Sequence, residues 1–153
     1  MIFRTRRQDQ SNKSQQSTWS PPSSKVKYPR WTFVVIPEQD KYYLIWDTTK
    51  LAFISQRAFR SWNRIPLRVS EESISGYKTW KRIGFAPGSI IESIVDGKRY
   101  FITGQLFQEE KRLITTPDFY QVLGFNPGLA SKVSQAELDF HNEGSDIDDI
   151  RFI

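Results

Sequence analysis

His141 is the only histidine in this 153-residue chain, and Asp139 and Glu143 flank it at two-residue spacing, with Asp146, Asp148 and Asp149 close behind. A metal held there would rely on carboxylates, because the chain has no cysteine. SDIDD has the alternation of a calcium loop but lacks the turn Gly and the closing bidentate Glu at the required positions, so no metal is expected. The missing cysteines also exclude disulfides, thiolate metal sites and thiol catalysis. No nucleophile-elbow or phosphate-loop pattern supports a Ser-His-Asp arrangement. DGK at 96–98 reads as a turn entering a strand, and Glu109-Glu110 beside Lys111-Arg112 as a solvated hairpin face rather than a paired acid and base. The chain is therefore read as non-enzymatic, with no catalytic residue, metal or cofactor.

Binding chemistry is concentrated at the N-terminus. The net charge is +5, and residues 1–30 carry seven basic side chains against Asp9 alone, which leaves the remainder at −1. Residues 1–28 are rich in Ser, Gln, Arg and Pro and bury too little apolar surface to offset their ordering entropy, so they read as an extended basic arm. Phe3 and Trp19 are large aromatics in that arm, and Arg4, Arg6 and Arg7 supply charge. These five are the candidate partner-binding residues, with docking onto a neighbouring subunit and folding back onto the protein's own core as the alternatives. No segment reaches the roughly 18 consecutive apolar residues of a membrane span, and no signal-peptide core is seen, so a soluble, non-secreted chain is expected.

The elements that must carry this arm follow from pattern. WTFVVI at 31–36, YYLIW at 42–46 and KLAFI at 50–54 read as strands, the last two closed by Asp47-Thr48-Thr49 as a hairpin. Ser55 stands at an N-cap position before a short helix whose Ala58, Phe59 and Trp62 share a face. The pattern then recurs. KRYFI at 98–102 and KRLI at 111–114 form a second hairpin, Thr115 or Thr116 offers an N-cap ahead of Pro117, and Phe119, Val122 and Leu123 make an apolar face that ends at Gly124. Ser134 and Glu137 have capping-box spacing. Aligning strand on strand brings Lys41 to Lys98, Tyr43 to Tyr100, Ile45 to Ile102, Phe59 to Phe119 and Val69 to Val133, with an offset drifting from 57 to 64 residues. The expected fold class is α+β, two tandem small modules, each a β-hairpin, short helix, strand and capped helical turn. The expected divisions are the arm at 1–28, modules at 29–86 and 87–142, and an acidic tail at 143–153. The tail is read as mobile, or as a strand that adds to a neighbour's sheet edge while its acids meet a basic arm.

KRYFI, KRLITTPDFYQVLGF and KVSQAEL, covering 98–138, resemble tandem short α+β modules of bacterial surface proteins and phage tail and structural proteins; 41–74 is a degenerate copy. The resemblance implies adhesion or assembly rather than catalysis. The expected function is thus a non-enzymatic structural or adaptor protein of a large assembly, a phage virion component of tail, baseplate, neck or capsid put together in the host cytoplasm. Its partners would be other structural proteins, with self-association through the basic arm and acidic tail. The alternative is a cytoplasmic nucleic-acid-associated accessory protein of a ribonucleoprotein particle that uses the arm on phosphates. A glycan- or ligand-binding surface made by aromatics of the modules is a third reading.

Overall fold

The computed structural model describes residues 24–152. Its first sheet is centred on three antiparallel strands, β1 (Thr32–Ile36), β2 (Lys41–Trp46) and β3 (Thr49–Phe53). Their β-branched and aromatic runs suit a pleated surface buried on both sides. Helix α1 (Gln56–Arg60) follows, started by the Ser55 hydroxyl, which accepts from the Ala58 N–H at 3.0 Å. Two strands then edge the sheet in parallel, β4 (Leu67–Arg68) beside β1 and β5 (Lys78–Ile83) beside β3, giving the order β4-β1-β2-β3-β5.

The second sheet is wound in the same way. Strands β6 (Ile90–Ser93), β7 (Arg99–Thr103) and β8 (Glu110–Leu113) form its antiparallel centre, followed by α2 (Asp118–Leu123). Gly124 takes the left-handed conformation, φ 62°, that a helix C-cap requires and that glycine adopts without a Cβ clash. Strand β9 (Ser131–Val133) pairs in parallel with β6, α3 (Gln135–Asp139) opens on a complete Ser134/Glu137 capping box, and β10 (Asn142–Glu143) pairs in parallel with β8. The molecule is thus mixed α+β, with two five-stranded sheets and three short helices. Among the described residues no helix is long and apolar enough to cross a membrane.

Each sheet buries both faces. One face of the first sheet gathers Phe33, Leu44, Leu51, Phe53 and Ile83 under Phe59 of α1; the other gathers Val34, Ile36, Ile45, Val69 and Ile74. In the second sheet, Ile90, Phe101, Phe119 and Ile147 pack on one side and Ile91, Tyr100, Ile102, Val133 and Leu138 on the other. Helix α1 belongs to both halves, because Ala58 packs into the second group with Phe85 while Phe59, its neighbour, packs into the first sheet.

The structure departs from the sequence reading in five places. Ala58, Phe59 and Trp62 do not share one helix face, because Ala58 turns to the second sheet, Phe59 to the first, and Trp62 lies past the end of α1. Helix α2 buries Phe119 but leaves Val122 and Leu123 exposed, and Thr115, instead of capping it, donates its hydroxyl to the Ile147 carbonyl at 2.9 Å. The acidic C-terminal stretch is held rather than free, since Glu143 lies in β10 and Ile147, bridged to Ile114, is buried. Lys25–Tyr28 of the expected arm dock on the first sheet: the Val26 N–H donates to the Ser73 carbonyl at 2.9 Å and Tyr28 packs beside Tyr43 and Tyr77. Finally, Glu109 and Lys111 are buried, not solvated.

Candidate interaction surfaces

The halves are joined by polar groups that are almost entirely paired. Glu137 accepts from the Arg57 guanidinium at 2.6 Å, the Ser55 hydroxyl at 2.7 Å and the Ser134 N–H at 3.1 Å, tying the start of α1 to the start of α3. Burial alone would push its carboxyl up, but these hydrogen bonds, led by Arg57, bring it down to about 2. His141, also buried, accepts the Phe85 N–H on Nε2 at 3.1 Å, and burial with the nearby Lys111 charge lowers it to about 4. It is a neutral acceptor at pH 7. The imidazole sits against Gly84, where an added Cβ would lie 2.4 Å from Cε1. Lys111 donates to the carbonyls of Leu138 and His141 at 3.0 and 2.9 Å and pairs with Glu143 at 2.9 Å. Nearby, Glu109 keeps one carboxyl oxygen buried without a protein partner, and burial pushes its carboxyl up. Together these contacts tie the two halves into one joint.

A second constellation lies at the surface of the same joint. Trp31 meets Trp46 edge to face at 5.0 Å, Trp46 meets Phe107 at 6.1 Å, and Phe107 meets Trp80 at 5.2 Å, forming a continuous aromatic strip. Arg30 lies 3.7 Å over Trp46, and Lys81 lies over both Trp80 and Phe107 at 5.1 and 5.3 Å. Register adds Lys78, because Trp46 pairs with Thr49 and Thr49 with Lys78. Trp31 and Trp80 are 46% and 48% exposed, far more than a core role needs. Trp31 and Phe107 also hold φ of 70° and 71°, a left-handed conformation costly for a bulky side chain. Phe107 comes from the β7–β8 connection, so both halves build the strip. Two carboxylates lie beside it: Glu109 lines a cleft with Lys81 and Phe107, and Asp47 is 3.8 Å from Arg30, where both partners are at least half exposed, so that pair contributes little.

Comparison with protein-family models, curated proteins and solved structures finds no match. The surface must therefore be interpreted from its own chemistry. Exposed tryptophans with interleaved cations are the residue types that dominate binding hot spots, and their faces can stack flat groups. They can also carry a polyanion whose bases stack.

Phe3, Arg4, Arg6, Arg7 and Trp19 lie outside the described residues. The aromatic strip is not legible in the sequence, because Trp31 and Trp46 sit in strand-like stretches where an aromatic is expected to be core, and Trp80 in a stretch with no strand pattern. The signal that was available is KTWKRI at 78–83, a strand whose Trp stands among three cations instead of apolar neighbours.

Proposed function

We propose that this chain is a non-enzymatic structural or adaptor component of a large assembly, built from two tandem copies of one module. The tandem reading rests on contacts that recur at matched register. The Tyr28 N–H donates to the Tyr77 hydroxyl at 2.6 Å where the Phe85 N–H donates to His141. Lys50 donates to the Ile74 carbonyl where Lys111 donates to that of Leu138. Ser70 receives the Ser73 N–H where Ser134 receives that of Glu137. In each module a backbone N–H near the opening is clasped by a side chain just ahead of the last strand.

The observation that carries the adaptor reading is the aromatic and basic strip, exposed yet fixed by a two-module body. A pre-ordered surface loses little side-chain entropy on binding, which is what a docking face requires. The virion setting rests on the resemblance of 98–138, and the arm, with Phe3, Arg4, Arg6, Arg7 and Trp19, would clamp neighbouring subunits once it is docked. Two variants test this: Trp80→Ala combined with Lys81→Ala, and deletion of residues 1–23. Both should stay folded and lose incorporation into the assembly in a fractionation of the source cells or particles. Normal incorporation of both would sink the reading.

A second reading has its own observation. The cations Arg30, Lys78 and Lys81 give the described body the basic surface that the sequence did not reveal, and single-stranded nucleic acid would use it by stacking on Trp31 and Trp80. Binding would then fall linearly on a log-log salt plot, with a slope that shrinks when these cations are removed.

A further inference from the structure

Building on the tandem-module reading, we infer that copies of this chain associate head to tail, with α2 of one copy seated on the opening face of the first sheet of the next. Inside a single molecule α1 already makes this contact. Its outward side places Ala58 in the core of the second sheet, gives Arg57 and Ser55 to Glu137, receives the Ala86 N–H on the Ser61 hydroxyl at 2.8 Å, and sends the Trp62 indole N–H to the Gly84 carbonyl at 3.0 Å. With Phe59 matched to Phe119, the same side of α2 presents Asp118, Gln121 and Val122. Among the described residues nothing covers it: Val122 is 57% exposed, the adjoining Leu123 43% and Leu129 74%. A large apolar group left outside at the position where its counterpart is packed marks a face that a partner completes.

The receiving surface is found by the same register. Gly84, Phe85 and His141 of the internal contact correspond to Lys27, Tyr28 and Tyr77, which border a cleft of about 460 Å3 shared with Lys25 and Asp47. Tyr28 and Tyr77 are half-buried there, offering rigid amphipathic contact area. Charge agrees in net, since α2 brings Asp118 in its first turn and the cleft brings Lys25 and Lys27 against the single carboxylate of Asp47. The two surfaces differ, so the contact is heterologous: it leaves a free α2 at one end and a free opening face at the other, and grows until it closes or is capped.

The test uses the full chain in sedimentation velocity over a concentration series. Wild type should rise in mass above the 18.0 kDa monomer as concentration increases. Val122→Asp should block one end and Lys25→Glu with Lys27→Glu the other, so each variant alone should remain monomeric. An equimolar mixture of the two should double in mass and go no further, because each retains the end the other lacks. Circular dichroism and Trp fluorescence would show that both variants are folded. A wild type that stays monomeric overturns the head-to-tail contact, as does a Lys25/Lys27 variant that associates like wild type, or a mixture that stays monomeric. The adaptor reading is judged separately by the incorporation of the strip variants, so a monomeric wild type that still incorporates would remove this inference alone.

Discussion

Glu137 is charged and His141 neutral in the same joint, and both have folded pKa values below their ordinary ones. For each, the folded protein binds fewer protons than the unfolded chain in the intervening window, so stability falls as pH falls. For His141 the window runs from about 6.5 down to about 4. It predicts a loss of about 2 kcal/mol between pH 7 and pH 5. His141→Gln, which keeps an acceptor for the Phe85 N–H, should flatten that slope in urea titrations, and an unchanged slope would contradict the buried neutral imidazole. The Glu137 contribution is present above about 4.5 and is lost toward about 2. Glu137→Ala removes the capping box and the Arg57 pair and should cost about 3 kcal/mol at neutral pH. Gly84→Ala forces a Cβ into His141 and Phe140, and should cost about 3 kcal/mol by overpacking, measured in the same titrations. Residue identity made the Ser55 and Ser134 caps legible, because capping is local. The roles of Glu109, Lys111 and His141 were not legible, because burial there is imposed by segments from 27 to 56 residues away in sequence.

At the scale of elements, α1 and α2 have similar apolar patterns and different fates. Ala58 and Phe59 are both enclosed, one in each half, whereas α2 encloses Phe119 alone. Phe119→Ala should therefore cost about 3–5 kcal/mol, and Val122→Asp less than about 0.5 kcal/mol. Ala58→Asp, which buries a charge between the sheets, should prevent folding or cost more than about 3 kcal/mol. Denaturant melts of the three variants check this ordering, and a large penalty at Val122 would mean that α2 is packed on both sides. Periodicity places apolar residues on a helix face, but only the tertiary partner decides which face is covered. Strands suffered likewise. β1, β2, β3, β7 and β8 were readable from β-branched and aromatic runs. β5 was missed because five of its six residues are exposed, and β6 and β10 because runs of four and two residues carry little pattern.

For the whole molecule, the shared helix α1, the Arg57–Glu137 pair and the His141–Phe85 hydrogen bond predict one unfolding unit, not two domains on a linker. The four described tryptophans, Trp31, Trp46, Trp62 and Trp80, all belong to the first half, so their fluorescence follows the first sheet, while exchange of the Ile91, Ile102 and Val133 amides follows the second. The two transitions should coincide, and separated midpoints would show that the joint is weak. The broad class, α+β, was legible in the sequence because hairpins and caps are local devices. The parallel edge strands were not, since they are set by long returns of the chain. Density-gradient fractionation of the native source, with mass spectrometry of each fraction, decides whether this chain belongs to an assembly. Co-sedimentation with structural proteins of a particle that survives nuclease treatment is the expected result; sedimentation as a free 18.0 kDa protein, or with nucleic acid that nuclease removes, would overturn the adaptor reading.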